Sequence, residues 1–462
     1  MEYNRGRIDL TGNKDEFRNL NSPKIVTRIP GPIVSQFIQH AGAIFPSYVQ
    51  PIMDEAEGIF IKDPDGNIFV DFISGRCVVN IGYSHPDFVK AIQEQVPKGT
   101  NGITENLLKM ILRISQVTPG SYEKAVICGL SGSDMNDLAI KLARRLTKRS
   151  DIITFAGSYH GVSYGALSLT SYQTDMIRGF GPRLPGVHNM YYPYCYRCPL
   201  KMDSKDCDLA CLDLMVDHAF KSYVVPDEVA AMFVEPIQGD AGWHVPPDDW
   251  LPRLRKICDE YGMLLVAEEI QTGFGRTGKW FGFDHYDVVP DITLLGKSIA
   301  CGVPNAAAVV KADLFNRVDP FNLIYLMNTF SYNPLACVAT LANIDIIERE
   351  RLVERSAEMG AYAYHWLKDM VSDHDILGEV RGKGLMLGVE VVENKETKKP
   401  GVRLADRIVE EAFKKGLYMI HMGAFGTAVL RVAPPLIINK EQMDSCLEIL
   451  DDSVKEVEKA RL

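Results

Sequence analysis

Residues 263–278 read Met-Leu-Leu-Val-Ala-Glu-Glu-Ile-Gln-Thr-Gly-Phe-Gly-Arg-Thr-Gly. The apolar run 264–267 has no polar alternation, which is typical of a strand buried on both faces of a parallel sheet. It ends directly in two carboxylates, Glu268 and Glu269, and then in a glycine-rich loop that is too long for a simple turn. Ligands of α/β proteins bind at the carboxyl ends of such strands. The stretch therefore predicts an α/β fold with acidic side chains at its ligand site.

The same kind of pattern continues on both sides of this stretch. Helical periodicity at 134–146 and 249–260 alternates with further apolar strands, which we predict at 125–130, 152–155, 229–234 and 292–295. Strands that alternate with helices favour a mainly parallel sheet that is covered on both faces.

The two ends of the chain are patterned differently. Asp65-Gly66-Asn67 lies between two short apolar runs and predicts a hairpin. After Pro334 a helical pattern runs to about residue 371, and two predicted strands, 384–392 and 428–432, precede a charged terminal helix. We therefore predict a large domain at residues 86–344 and a smaller α+β domain built from residues 1–85 and 345–462.

Composition narrows the class of protein. Of the 462 residues, 46% are hydrophobic and 24% are charged, which is typical of a globular protein rather than a disordered one. Fifty basic and sixty acidic residues give a formal charge of −10, which argues against nucleic acid as a partner. No apolar run approaches the roughly 20 residues of a membrane span, and the N-terminus lacks the apolar stretch of a secretory signal. We expect a cytoplasmic enzyme that acts on small molecules.

Two further predicted strands end in residues that could bind a phosphate or react with a carbonyl group. The strand at 125–130 runs into a tight turn, Ser131-Gly132-Ser133, and a helix that we expect to open at Asp134. Backbone N–H groups at such a helix start can bind a phosphate, although a simple helix cap is the ordinary alternative. The strand at 292–295 leads to Lys297 in an apolar setting, where desolvation lowers the pKa of an amine and frees it to attack carbonyls.

A phosphate cradle, a carboxylate and a buried lysine together suggest pyridoxal phosphate as the cofactor. The lysine would form the Schiff base, and the carboxylate would pair with the pyridinium nitrogen of the cofactor. The helix N-terminus would hold the phosphate.

Four of the ten cysteines are clustered. Their spacing, C-x2-C-x8-C-x3-C, could hold a structural zinc ion, although it matches no common zinc finger. A loop of reduced cysteines and one local disulfide are the alternatives. The four residues are Cys195, Cys198, Cys207 and Cys211.

Residues 268–278, together with Pro-Asp-Ile-Thr-Leu-Leu-Gly-Lys at 290–297, closely resemble the signature of class III aminotransferases. These are fold-type I pyridoxal-phosphate enzymes that include ornithine and 4-aminobutyrate aminotransferases. The resemblance runs from about residue 56 to 455. It implies transfer of an amino group from an amino acid or ω-amino acid to a 2-oxo acid.

The resemblance also implies roles for single residues. Lys297 corresponds to the Schiff-base lysine, Gln271 to the residue that bonds the phenolic oxygen, and Tyr159 to the ring that stacks on the cofactor. The full set of residues expected to bind the cofactor is Ser131, Gly132, Ser133, Tyr159, His160, Glu235, Glu268, Gln271, Lys297 and Thr329.

Substrate recognition and assembly follow from the same resemblance. Arg431 matches the arginine that receives a substrate carboxylate. Arg76 falls where the family places a substrate-facing residue, with a surface salt bridge as the alternative. Thr329 matches a threonine that reaches the phosphate from the neighbouring subunit, which implies a homodimer or a dimer of dimers with shared active sites.

Two departures from the family pattern bear on the reaction. Glu268 stands where an aspartate is usual, and its charge should preserve the pairing with the pyridinium. Asp240 replaces a glutamate of ornithine-type enzymes and resembles the aspartate of the family's racemases and epimerases. We expect an aminotransferase, with a racemase that uses Lys297 and Asp240 as the alternative. A binding protein without catalysis is disfavoured because the lysine is present.

Overall fold

A computed structural model describes residues 16, 17, 19–41, 50–121, 123–318 and 326–461. Its strands are β1 (Glu55–Glu57), β2 (Phe60–Lys62), β3 (Ile68–Asp71), β4 (Lys124–Gly129), β5 (Asp151–Phe155), β6 (Val187–Met190), β7 (Val229–Val234), β8 (Leu264–Glu268), β9 (Ile292–Leu295), β10 (Ala306–Lys311), β11 (Leu377–Lys383), β12 (Met386–Asn394), β13 (Lys399–Pro400), β14 (Leu417–Tyr418), β15 (His421–Met422) and β16 (Val429–Val432).

Its helices are α1 (Pro32–Ala41), α2 (Ser74–Cys77), α3 (Pro86–Gln95), α4 (Glu105–Val117), α5 (Gly132–Thr147), α6 (Tyr164–Leu169), α7 (Thr174–Ile177), α8 (Ala210–Asp213), α9 (Phe220–Ser222), α10 (Trp250–Tyr261), α11 (Ala312–Phe315), α12 (Pro334–Arg349), α13 (Leu352–Asp373), α14 (Val402–Lys414) and α15 (Lys440–Lys459). Within the described residues, no helix combines the length and apolarity that crossing a bilayer requires.

A seven-stranded sheet forms the centre of the fold. Its strand order is β4-β10-β9-β8-β7-β5-β6, and β10 alone runs antiparallel to its neighbours. The predicted α/β class with a mainly parallel sheet is confirmed. The sequence analysis did not identify β10 or β6 as strands.

Different helices cover the two faces of this sheet, and they pack on it through apolar side chains. Met135 and Leu138 of α5 pack with strand residues on one face. Trp250 and Leu254 of α10 pack with strand residues on the other. Because both faces are covered, the central strands β7 and β8 are apolar up to their carboxyl ends, and the polar residues that follow them collect at the sheet edge.

Two smaller sheets complete the fold. In the first, of order β1-β2-β3-β14, β14 from the C-terminal part pairs in parallel with β3 from the N-terminal part. The predicted hairpin joins β2 and β3, and Gly66 in its turn has φ +85°, a conformation that favours glycine. The second sheet has the order β11-β12-β16-β15, with β13 paired to β12. This pairing is consistent with a domain built from both chain ends, but its proposed boundaries stay a prediction.

One predicted helix boundary is wrong. The helix after β4 begins at Gly132 rather than at Asp134, because the Ser131 hydroxyl accepts the Asp134 N–H at 3.3 Å and caps the helix. The helical pattern predicted after Pro334 comprises two helices, α12 and α13, which separate at a left-handed Arg351 (φ +53°).

Candidate active site

A cavity of about 340 Å³ lies at the carboxyl edge of the central sheet. This volume falls in the range of small-molecule sites. The predicted site residues that line it are Ser131, Gly132, Ser133, Tyr159, His160, Glu268 and Lys297. Those that lie outside its lining are Arg76, Glu235, Asp240, Gln271, Thr329 and Arg431.

The start of α5 forms one wall of the cavity. The Ser133 hydroxyl accepts the N–H of Val162 at 3.1 Å, which ties the helix start to the segment after β5. A Cβ on Gly161, whose φ is +132°, would lie 2.3 Å from the Ser133 Oγ, so this approach requires glycine. The first turn of α5 therefore presents backbone N–H groups and a positive helix end to the cavity, which suits a phosphate.

Lys297 lies directly after β9, in a 3-10 turn that spans Lys297–Ala300. Its φ of +43° is left-handed, a conformation that costs energy for a residue other than glycine. Asn343 of α12 fixes this turn by donating to the carbonyls of Ser298 (2.9 Å) and Ile299 (3.2 Å). The lysine is half-buried and lines the cavity.

Glu268 ends β8, is 5% exposed and lines the same cavity. Its Oε2 lies 3.0 Å from Nδ1 of His160, whose Nε2 lies 3.1 Å from the Thr154 hydroxyl. Glu268 thus sits in a buried polar chain that orients it. Nearby, Glu235 accepts the N–H groups of Tyr159 and Gly239, and burial together with Glu268 raises its pKa well above the usual range.

The second carboxylate of the motif, Glu269, serves a different purpose. It is buried and does not line the cavity. It accepts the backbone N–H groups of Gly282 and Phe283 at 2.8 Å each and the hydroxyl of Thr272. Burial raises the pKa of Glu269 to about 7. Glu269 therefore holds the glycine-rich loop in place.

A second polar group lies beside the cavity. Arg431 on β16 is 3% exposed and pairs with Asp240 at 3.0 Å. Its guanidinium carbon lies 5.0 Å from the centre of the Trp243 ring, and the Trp243 indole donates to the Gln271 carbonyl oxygen at 2.8 Å. Burial alone raises the pKa of Asp240, but Arg431 and Lys297 together lower it below its ordinary value. Asp240 is therefore ionised at neutral pH.

Arg76 and Thr329 are both exposed on the surface of one chain. Arg76 belongs to α2, a single turn in which four successive residues from Ser74 have φ between +44° and +67°. Asp71 holds this turn by accepting the N–H groups of Ile73 and Gly75. Thr329 lies on the loop that precedes α12.

The role of Arg276 was not predicted from the sequence. Its side chain is completely buried and donates to the Ser74 hydroxyl, the Asn80 side chain and two backbone carbonyls. It thereby joins the glycine-rich loop to the turn that carries Arg76. An arginine inside a glycine-rich loop was a signal for such a link, but its partners are remote in sequence.

The four clustered cysteines line one cavity of about 20 Å³, and all are unpaired. Among the described residues, only His160, Glu235 and Glu268 form a set of three whose potential ligand atoms lie within 4.8 Å of one another. The four cysteines form no disulfide with one another, and the zinc site considered from their spacing stays a prediction.

Comparison with known proteins extends these observations. The family described as Aminotransferase class-III matches residues 46–454. An alanine/serine racemase of Pyrococcus horikoshii is 36% identical over 448 residues, which are 94% of this chain and 93% of the racemase. The 4-aminobutyrate aminotransferase GabT of Escherichia coli is 34% identical over 415 residues, 88% of this chain and 94% of that enzyme.

Solved structures agree with the sequence comparisons. An aminotransferase of Bacillus anthracis superposes with a TM-score of 0.83 at 28% identity, over 92% of this chain and 99% of that one. A taurine:2-oxoglutarate aminotransferase of Bifidobacterium kashiwanohense, solved with pyridoxal phosphate and glutamate, gives a TM-score of 0.81 at 28% identity, over 89% and 93% of the two chains. The chain therefore belongs to the class III aminotransferase family of fold-type I, pyridoxal-phosphate-dependent enzymes.

Proposed function

We propose that the protein is an aminotransferase that moves an amino group from an amino acid or ω-amino acid to a 2-oxo acid. The observation that carries this proposal is the buried pair of Arg431 and Asp240, 3.0 Å apart. An aminotransferase binds two substrates in turn, and their carboxylates need a cation. Asp240 neutralises Arg431 between substrates, because a lone buried guanidinium would be costly. An incoming carboxylate can then replace Asp240 as its partner.

The cavity residues fit pyridoxal phosphate. An anion-binding helix start, an amine and a carboxylate surround one space of about 340 Å³. When bound, the cofactor supplies an electron sink for charge that develops at the substrate Cα. We assign covalent attachment to Lys297 and phosphate binding to residues 131–133.

The remaining roles belong to the chain itself. Lys297, once free, takes the proton from the substrate Cα. Glu268, which His160 orients, would supply negative charge at the pyridine nitrogen and keep a proton there. Gln271, which Trp243 holds, would bond the phenolic oxygen of the cofactor, and Tyr159 would cover its ring.

Racemisation is the second candidate, and similarity to the alanine/serine racemase favours it. A racemase returns a proton to Cα from the face opposite the lysine, and Asp240 is the acid available for this. Arg431 and Lys297 lower the pKa of Asp240, so this carboxyl would have to gain a proton before it could deliver one to Cα. We therefore place transamination first.

The deciding experiment measures both reactions on one preparation. A panel of amino donors is incubated with pyruvate or 2-oxoglutarate, and the same donors are incubated without an oxo acid in a chiral assay. We expect a new amino acid only when the oxo acid is present, and unchanged optical rotation without it. Loss of rotation without an acceptor, with no amino transfer in its presence, would make the protein a racemase.

The variant Asp240→Asn separates the two mechanisms further. In an aminotransferase it should lower the KM of both substrates, because their carboxylates no longer have to displace a charged partner from Arg431. In a racemase it should abolish turnover, because an amide cannot exchange the Cα proton.

A further inference from the structure

A buried ionic network lies outside the cofactor cavity and joins β11, β12 and the segment that begins the cysteine loop. Glu390 of β12 is completely buried and accepts from Arg381 Nη1 at 2.7 Å. It also accepts the Tyr194 hydroxyl and Arg197 Nε, each at 2.5 Å. One carboxylate thus serves two arginines and a tyrosine. Such a group keeps its geometry because the loss of Glu390 would leave two guanidinium groups without this buried carboxylate.

A hydrogen bond links this network to the segment at 242–243, beside the residues that we assign to the active site. Nε of Arg381 donates to the carbonyl oxygen of Gly242 at 2.8 Å. Gly242 has φ +122°, and Trp243 has φ +54°, which is unfavourable for a residue with a side chain. Such conformations persist only where the surroundings hold them. Arg381 holds the carbonyl side of the peptide between Gly242 and Trp243, while the Trp243 N–H of the same peptide donates to the Gly239 carbonyl at 3.2 Å.

Trp243 in turn contacts the residues that we assign to cofactor and substrate. Its side chain is fully buried, and its indole N–H donates to Gln271. Its ring lies under the guanidinium of Arg431, which pairs with Asp240 three residues before the tryptophan. A shift of the Gly242 peptide would therefore move both the Gln271 amide and the support of Arg431.

We propose that Arg381 is a positioning residue for the active site. It holds the 242–243 peptide and thereby sets the orientation of the Gln271 amide and the position of the Arg431 guanidinium. Glu390, Tyr194 and Arg197 in turn hold Arg381 in place. The segment before and within the cysteine loop thus has a use in catalysis that needs no metal. The part that concerns Arg431 rests on the proposed function; the part that concerns Gln271 rests only on cofactor binding.

The test compares Arg381→Lys with Glu379→Gln. A lysine keeps a positive charge beside Glu390, but it cannot bond Glu390 and the Gly242 carbonyl together as the guanidinium does. Glu379 accepts from the same Nη1 atom at 2.7 Å and is 29% exposed at the side chain, so its loss leaves the Gly242 bond in place. It is the matched control. Tyr194→Phe, which removes one hydroxyl and no charge, is a milder second variant.

Two measurements decide the proposal. Apo-protein is titrated with pyridoxal phosphate, and the pH midpoint of the bound cofactor's absorbance band is recorded; then the KM of the amino donor is measured. For Arg381→Lys we expect a displaced midpoint and an increase of about 10-fold in KM, the size of one lost hydrogen bond to a charged group. For Glu379→Gln we expect changes within about 2-fold.

The outcomes are distinct. If Arg381→Lys gives the wild-type midpoint and KM and only a lower melting temperature, Arg381 is merely structural and the proposal fails. If that variant does not fold, Tyr194→Phe must show the same displacement at smaller size, and an unchanged midpoint there overturns the proposal. If the wild-type protein shows no transamination, the proposed function fails, but the absorbance midpoint still tests Arg381.

Discussion

Lys297 is the residue on which the chemistry depends, because it brings an amine into the cavity on a strained, anchored turn. We expect Lys297→Arg to lower turnover by about 1000-fold, since a guanidinium stays protonated and cannot bond an aldehyde. The measurement is turnover, together with mass spectrometry after borohydride reduction of the cofactor-loaded protein. A cofactor-sized mass increase should occur in the wild type alone. Normal turnover in the variant would refute the assignment of the cavity.

Substitutions of Glu268 test whether the charge of this side chain or its length matters at the pyridine nitrogen of the cofactor. We expect Glu268→Gln to lower kcat about 100-fold, because an amide cannot hold a proton there by charge. Glu268→Asp, which restores the usual residue of the family, should stay within about 10-fold because the charge remains. Steady-state kinetics with saturating cofactor provide the comparison. Equal rates for wild type and Glu268→Gln would show that the carboxylate has no electronic role.

Substitution of Arg76 tests whether this side chain binds a negatively charged group of the substrate. Arg76 is an exposed residue on a turn that Asp71 and Arg276 hold in place. We expect Arg76→Ala to raise the KM of dicarboxylic donors about 10-fold, as for a lost hydrogen bond to a charged group. The KM of neutral donors should change little. A similar rise for both classes would mean that Arg76 stabilises the turn and does not recognise an anion.

At the scale of an element, the glycine-rich loop depends on Glu269. A glutamate has an ordinary pKa of 4.5, and burial raises that of Glu269 to about 7 in the folded protein. Between these values the folded state binds the extra proton, so stability falls as pH rises through this window. The contribution is present below pH 4.5 and is lost above about pH 7. Its size is about 3 kcal/mol.

Urea unfolding at pH 5.5, 6.5 and 7.5 measures this effect. We expect the unfolding midpoint of the wild type to fall with pH more steeply than that of Glu269→Gln, which has no proton to lose. Parallel pH profiles would show that Glu269 is not the group responsible. Activity with excess cofactor serves as the control for correct folding.

At the scale of the whole molecule, we propose a homodimer in which Thr329 completes the partner's phosphate site. The loop around Thr329 is exposed, and the neighbouring Phe330 is 58% exposed. Phe330→Glu should therefore yield a monomer in place of a particle of twice 51.6 kDa and weaken cofactor binding about 10-fold. Light scattering and cofactor titration give the two readouts.

The control for this prediction is Tyr223→Glu. Tyr223 is 70% exposed and precedes β7, so it lies at the amino edge of the sheet, opposite the site. This variant should remain dimeric and bind cofactor normally. A monomeric Phe330→Glu protein with wild-type cofactor affinity would exclude a shared site.

The sequence by itself determined five of the seven strands of the central sheet, β4, β5, β7, β8 and β9, and with them the three strand ends that line the cavity. Local patterns suffice there because burial on both faces demands uninterrupted apolar runs, and the residues that follow such runs meet at one edge. Lys297, Glu268 and the start of α5 were found in this way. The family signature then supplied the cofactor.

Only the tertiary structure decided how the remaining residues act. Glu268 and Glu269 are neighbours in sequence, yet one faces the cavity and the other holds a loop, because successive residues point to opposite sides. Arg381 meets Gly242 across 139 residues, and Arg276 meets Asn80 across 196. Such contacts exist only when separate elements pack together, since the hydrogen-bond partner of a buried charge is selected by proximity in the folded chain and leaves no local pattern.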